Sequence, residues 1–342
     1  MEVAGDAVPV AAGDTTGAGE VRRRVSRMAQ ALGFGETAAG RAALLATEAA
    51  TNLSKHAAHG GTVFVRPVRR GGVNGLELLA VDAGPGMDDA AVALRDGHST
   101  AGSPGTGLGA LSRQSDEFDL FTLPGRGTVV LCRVWPSPPK RSPVPPLDVG
   151  AVSVPKPGQI VCGDSWAVME GPGRTVAMIA DGLGHGPDAA AASMEAARVF
   201  TRHADERPGA LLERMHAALR PTRGAAIAIA EVSTAAGVVR FAGVGNISGT
   251  LVGPAGTQSM VSHNGIVGHE MRKVQEFEYP WFRAALLVMH SDGLGTRWNL
   301  ARYPGLRERD PAVVAAVLYR DFARGTDDAT VLAAREPAPA AA

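Results

Sequence analysis

Apolar positions in the first 135 residues recur first at helical spacing and then at every second position, which divides them into helices and strands. Val21, Val25, Met28 and Leu32 mark one helix over 20–32. Leu45, Ala49 and Leu53 mark a second, opened by Thr37 as a cap and running to about Ala57. Strands are predicted over 62–68 and 76–82, the first an edge strand because Pro67 cannot donate to a ladder. A hairpin over 117–134 turns at Pro124-Gly125-Arg126-Gly127.

Trp135 to Pro146 interrupts this pattern with six prolines, which exclude helix and ladder alike and favour an extended spacer. At ~3.1 Å per residue it spans roughly 35 Å, so two independently folded units are expected on its two sides. Strands follow over 151–154, 175–181, 225–232, 238–244, 249–252, 274–278, 284–289 and 330–334. Helices fit 187–204, 209–219 and 311–323, and this mixture predicts an α+β fold. Residues 1–19 and the Pro/Ala-rich tail from Glu336 read as poorly ordered.

At 342 residues the chain is long enough for two domains with separate cores. Lys+Arg and Asp+Glu both total 34, so no basic excess points to nucleic acid or to an anionic membrane. The two cysteines, Cys132 and Cys162, form no disulfide or zinc pattern, and no apolar run or leader pattern marks a membrane span. A soluble, cytoplasmic protein is expected.

Chemistry concentrates at strand ends. Ile179-Ala180-Asp181-Gly182, His290-Ser291-Asp292-Gly293, Cys162-Gly163-Asp164 and Thr326-Asp327-Asp328 each put a carboxylate at the rim of an apolar run. Like charges ~4 Å apart repel by ~4 kcal/mol per pair at an effective dielectric of ~20. Their convergence therefore calls for hard divalent cations with oxygen ligands, Mg²⁺ or Mn²⁺ rather than zinc. In the first half, Glu48, Asn52 and His56 share one helix face, Asn52 suited to Mg²⁺ and Glu48 to accepting a hydroxyl proton. Asp82 ends a strand in Asp82-Ala83-Gly84-Pro85-Gly86, where a buried carboxylate is a natural acceptor for an adenine amino group. The glycine-rich run from Gly97 through Gly105, Gly107 and Gly109 leads into a helix, exposing backbone N–H groups to phosphates.

The ordered trio Glu-x₃-Asn, Asp-x-Gly-x-Gly and Gly-x-Gly-x-Gly over residues 20–135 resembles the GHKL (Bergerat-fold) ATP-binding domains, most of all the RsbT/RsbW serine kinases of sigma-factor partner switching. The resemblance implies a Bergerat-type α/β sandwich with helices on one face of a mixed sheet. It implies that Asn52 holds Mg²⁺, Glu48 is the base, Asp82 contacts adenine, and Gly84, Gly86, Gly105, Gly107 and Gly109 shape the phosphate loop. Beyond the 136–147 linker, residues 148–335 resemble the PPM-type metal-dependent Ser/Thr phosphatases of the SpoIIE/RsbX branch, with an αββα sandwich. That resemblance implies two Mn²⁺ or Mg²⁺ ions on Asp164, Asp181, the Gly182 carbonyl, Asp292 and Asp327, with Asp328 the alternative to Asp327. Asp181 is also the residue on which catalysis is expected to depend.

The two resemblances together imply a bacterial regulator of sigma-factor control and stress response that acts on a STAS-domain anti-sigma-antagonist or stressosome-like protein. Its first domain is expected either to transfer phosphate from ATP or to bind a STAS protein or sigma factor under ATP control. His185 reads as a loop residue before the helix at Pro187, and Cys162 as a small filler beside the aspartates.

Overall fold

The strands and helices pack into two units, and the chain passes between them more than once. In this computed structural model, residues 6–11, 13, 16–57, 59–94, 107–137, 146–254 and 256–337 are described. One unit comprises 5–143 together with 299–320; the other comprises 144–298 and the chain from 321 onward. The sequence placed 299–320 in the second domain, whereas its contacts place it with the first.

In the first unit, β1 (Asp6–Val10), α1 (Thr16–Ala31), α2 (Glu36–His56), β2 (Gly61–Arg70) and β3 (Val73–Asp82) come first. They are followed by α3 (Ala90–Ala93), α4 (Gly107–Gln114), β4 (Glu117–Leu123) and β5 (Gly127–Val134). The sheet order is β1-β2-β3-β5-β4, and every pairing is antiparallel where a mixed sheet was expected. β1 lies in the stretch read as poorly ordered; its apolar signal is too short to stand out without its partner β2. It also makes β2 an internal strand. β1 pairs only with residues 61–65, so Pro67 lies beyond its reach and its missing N–H costs nothing. Thr37 is no cap: α2 starts at Glu36 behind Gly35, with no side-chain capping bond.

Val21, Val25 and Ala29 of α1 and Leu45, Ala49 and Leu53 of α2 bury their stripes on one sheet face, against Val63, Val65, Leu76 and Leu78. Phe64 points to the opposite face and meets Tyr319 edge-on, ring centroids 5.8 Å apart. Tyr319 lies on the last helix, α7 (Pro311–Phe322), whose residues from Pro311 to Leu318 are all buried. A helix apolar on all sides has to be covered on all sides. Each fully buried Val or Leu there contributes roughly 1.5–3 kcal/mol by leaving water.

The other unit contains β6 (Asp148–Val154), β7 (Asp164–Gly171), β8 (Arg174–Gly182), α5 (Pro187–His203), α6 (Pro208–Leu219), β9 (Ala225–Ser233) and β10 (Val238–Val244). It continues with β11 (Ser248–Gly253), β12 (Gly256–Ser259), β13 (Phe277–Pro280), β14 (Leu286–His290) and β15 (Ala329–Arg335). Two antiparallel sheets, β13-β10-β9-β8-β7 and β12-β11-β14-β15-β6, face each other through Trp166, Ile179, Phe241, Leu251, Leu287, Met289 and Leu332. α5 and α6 cover the outer face of the first sheet through Phe200, Leu211 and Met215. The architecture is α+β, as expected. No helix among the described residues is long and apolar enough to cross a membrane. The spacer at 138–145 and the glycine loop at 95–106, including Gly105, lie outside the described residues.

Candidate active sites

Antiparallel pairing puts the ends of four strands at one rim. In the β7/β8 register Asp164 stands directly opposite Asp181, an arrangement that brings Cβ atoms to ~4.5–5.5 Å and sets like charges against each other. On the facing sheet β14 runs out into Ser291-Asp292-Gly293, beside Asp327-Asp328 at the start of β15. Ser291 ties the two sheets together: its Oγ donates to Asp164 Oδ2 at 2.7 Å and accepts the Thr330 N–H at 2.9 Å. Asn246 donates to Asp292 Oδ2 at 2.7 Å. Asp328 Oδ1 accepts the Lys156 N–H at 2.8 Å.

Burial pushes the Asp164 and Asp181 carboxyls well above the usual carboxylate range, and the neighbouring aspartates add to the shift. Asp292 is raised by burial and by Asp327. Asp181 feels Asp164, Asp292, Asp327 and Asp328 together, so all five carboxylates share one field. Gly182 is required by space: a Cβ there would lie 2.0 Å from the Ala189 carbonyl oxygen, against the start of α5. Of the Asp327/Asp328 pair, Asp328 turns toward Gly163, where its Oδ2 lies 2.6 Å from the place of a Cβ, and Asp327 adds to the field at Asp292.

The donor set is chemically suited to divalent cations. Asp164 Oδ1 and Asp328 Oδ2 are buried without a hydrogen-bond partner among the described residues, and each such orphan needs a positive partner. No three His, Cys, Asp or Glu side chains among the described residues stand in closed ion-binding geometry; Ser291, Asn246 and the Lys156 N–H hold the carboxylates instead. These three holders were missed by sequence reasoning, although Ser291 sits inside the motif that carries Asp292. His185 is exposed, and Cys162 is half-buried beside Ser153, its thiol pushed up to about 12 chiefly by burial.

A pH signature follows. A folded-state carboxyl with a raised pKa holds its proton more tightly than the unfolded chain does. Its contribution is greatest below the unfolded value of ~3.9 and is lost as pH rises. The melting temperature of the metal-free full chain should therefore fall between about pH 5 and pH 8, and saturating Mn²⁺ should raise it more at the upper end. Calorimetric scans across pH test this; an increment with Mn²⁺ that does not grow with pH would mean the carboxylates do not share a site.

In the first unit, Glu48 and Asn52 are half-buried one turn apart on α2. Asn52 abuts the first turn of α4: its Oδ1 lies 2.6 Å from the place of a Cβ on Gly107, and its Nδ2 is buried without a partner among the described residues. Gly109 is buried on the same helix. Asp82 accepts the Gly84 N–H at 2.7 Å, and burial raises its pKa against the pull of that bond. Gly86 has φ of 68° and approaches the Leu123 carbonyl so closely that any Cβ would clash. An amide NH₂ in need of an acceptor, a half-buried strand-end carboxylate and a glycine-opened helix start fit a nucleotide, whose phosphate oxygens accept hydrogen bonds. His56 is exposed.

Matches to known proteins give the class: a partner-switching-type PPM serine/threonine phosphatase with a GHKL-like ATPase domain. Residues 12–133 match the histidine kinase-like ATPase domain, and residues 171–337 match Stage II sporulation protein E (SpoIIE). The serine/threonine-protein kinase RsbT of Bacillus subtilis (strain 168) is 35% identical over 108 residues, 32% of this chain and 80% of RsbT. The phosphoserine phosphatase RsbX of the same organism is 25% identical over 140 residues, 41% of this chain and 70% of RsbX. A solved structure from the bacterial stressosome, described as a modular system adapted to control secondary messenger signalling, superposes with a TM-score of 0.52. It is 28% identical, covering 55% of this chain and 99% of that one. The chain belongs to the RsbT family through its first domain and carries a SpoIIE-type phosphatase domain, homologous to RsbX, in its second.

Proposed function

We propose that the chain is a two-headed switch enzyme whose phosphatase removes phosphate from a serine or threonine of a STAS-domain anti-sigma-antagonist or stressosome-like protein, and whose first domain phosphorylates that protein with ATP. The convergence of Asp164, Asp181, Asp292 and Asp327 at one rim carries the phosphatase half of the reading. Two Mn²⁺ or Mg²⁺ ions held there, with the Gly182 carbonyl as a further ligand, would supply an activated water near neutral pH and neutralise phosphate charge. The chain's own part is to hold the carboxylates aimed. Ser291 fixes Asp164, Asn246 fixes Asp292, and the Lys156 N–H fixes Asp328. The placement of these carboxylates on strand ends keeps them rigid, which favours in-line attack over loose hydrolysis.

The kinase half rests on Glu48 and Asn52, one turn apart on α2, with Asn52 against the first turn of α4 and RsbT as a relative. In this reading Asn52 holds Mg²⁺, Glu48 takes the proton of the acceptor hydroxyl, and Asp82 accepts the adenine amino group. Radiolabelled ATP incubated with the full chain and a STAS-domain protein tests it. Label should pass to the STAS protein with wild type and be lost with Asn52→Ala; ATP binding without transfer would make the domain a nucleotide-gated binder instead. In the same full chain, Asp82→Ala should weaken ATP·Mg²⁺ binding by ~1–3 kcal/mol, the cost of an unpaired buried polar group. Calorimetry checks this, and equal affinity in the two proteins would displace the adenine pocket from Asp82.

A further inference from the structure

A cavity of about 390 Å³ opens beside the carboxylate rim, and the switch reading leaves it without a role. Asn246, Ser248, Thr250, Ser259, His290 and Trp298 help to line it. Register explains the lining: Ser248 pairs with His290, and Thr250 pairs with Ser259, so the four side chains share one face of the second sheet. Leu251, Leu287 and Met289 occupy the opposite face, in the inter-sheet core.

Three observations say what this space recognises. First, it is continuous with the reaction centre, because Asn246 both lines it and donates to Asp292 at 2.7 Å, and His290 lies two residues before Asp292. Second, among the described residues that line it none is Asp, Glu, Lys or Arg. His290 is fixed in the wall, its Nε2 accepting the Trp298 indole N–H at 3.2 Å and its Nδ1 donating to the Ser291 carbonyl at 2.9 Å. Third, β12 is the terminal strand of its sheet, with Thr257, Gln258 and Ser259 exposed, and a terminal strand leaves backbone groups open to an added extended segment. A volume at the low end of ligand pockets suits one or two side chains rather than a folded surface.

We propose that this cavity is a specificity subsite for the phosphoprotein: the extended segment carrying the phosphoserine lies along β12 and places an uncharged flanking side chain among Ser248, Thr250, Ser259 and Trp298. The proposal rests on the phosphatase reading. It explains why a carboxylate rim that any phosphate ester could approach has a hydroxyl-lined, charge-free annex at its border. An acidic or basic flanking residue entering the annex would lose its water without gaining a partner, so discrimination works by rejection as well as by fit.

The test uses the full chain and three probes: p-nitrophenyl phosphate, a phosphoserine pentapeptide with Leu on either side of the phosphoserine, and its twin with Glu there. Ser259→Arg places a cation at the exposed edge of the cavity, and Thr257→Arg does so one residue pair further along β12. Each should raise KM for the Leu peptide about tenfold with kcat unchanged, a usual scale for blocking a side-chain subsite. Turnover of p-nitrophenyl phosphate should stay within about twofold, and the Glu peptide should improve relative to the Leu peptide. Calorimetric binding of the dephosphorylated Leu peptide should weaken by a similar factor, and this reads the subsite without catalysis. An unchanged KM and unchanged peptide binding in both variants would overturn the proposal, as would equal losses on the peptide and on p-nitrophenyl phosphate. Wild type that fails to hydrolyse p-nitrophenyl phosphate would sink the phosphatase reading instead, while peptide binding still decides the subsite.

Discussion

Asp181→Asn should lower phosphatase turnover by at least about a hundredfold, more than the loss typical of disturbing residues around a metal ligand. The same change should raise the melting temperature of the metal-free chain. Both outcomes come from one geometry. Asp181 faces Asp164 across two paired strands and feels Asp292, Asp327 and Asp328 besides, so its charge is the most crowded of the five. A carboxamide of the same shape keeps the end of β8 in place but removes one anionic oxygen from the rim, which weakens cation binding. Without cations, that carboxyl must either crowd its neighbours or give up its charge on folding, and a carboxamide escapes both costs. Rates on p-nitrophenyl phosphate with saturating Mn²⁺, paired with calorimetry in chelator, decide the matter. Activity above roughly a tenth of wild type would remove Asp181 from the reaction centre.

The rim was largely legible because Asp181 and Asp292 each end an apolar run in Asp-Gly, and Asp327-Asp328 stand directly before another. Strand periodicity located Asp181 and Asp292; the strand that begins at Asp164 was not foreseen, and only its register sets Asp164 opposite Asp181. What the sequence hid depends on partners far along the chain. The strand Asp6–Val10 has meaning only beside residues 61–65, and Pro67 looks like an edge marker only while that partner is unknown. Ser291 and Asn246 carry no signature apart from the aspartates they hold. α7 held a clue that composition alone could have used: Pro311 to Leu318 offers no polar face, so a single layer beneath it could not suffice. Sequence assigned it to the second domain, and the SpoIIE match over 171–337 includes it, while its contacts group residues 299–320 with 5–143. The proline-rich spacer therefore does not bound the first unit, and a cut within 136–147 would separate α7 from the unit it packs in.

Asp310→Ala should cost ~3 kcal/mol of stability in the first unit, a large share of the ~5–15 kcal/mol that holds a typical domain. Arg66, Glu77 and Arg133 are buried side by side on neighbouring strands, each no more than 6% exposed. Glu77 accepts from Arg66 Nε at 2.5 Å and from Arg133 Nε at 2.7 Å. Burial would raise the Glu77 carboxyl, but the two guanidinium groups outweigh it and hold it down at about 2. One carboxylate between two guanidinium groups leaves a net positive charge in a dry place. Asp310, 177 residues away in sequence, balances it with a two-point grip on Arg133, at 2.6 and 2.9 Å. Its Oδ1 also accepts the Ala312 N–H at 2.9 Å at the start of α7, and its own N–H reaches Asp119 Oδ2 at 2.7 Å. Glu117 gives Arg133 a further partner at 3.1 Å, which keeps the expected loss at the low end for a broken buried pair. Asp310→Asn keeps a good helix-capping side chain and removes only the charge, so it separates the ion pair from the cap, which by itself is worth ~1 kcal/mol. Acid supplies the complementary sign: Glu77, depressed when folded, stabilises fully above its unfolded value of ~4.3, and that contribution fades as pH falls toward 2. Hydrogen exchange of β3 and β5 amides in the full chain reads this unit alone. A loss below ~1 kcal/mol in Asp310→Ala would reduce the pair to an ordinary surface contact and leave burial of α7 as the main hold on residues 299–320.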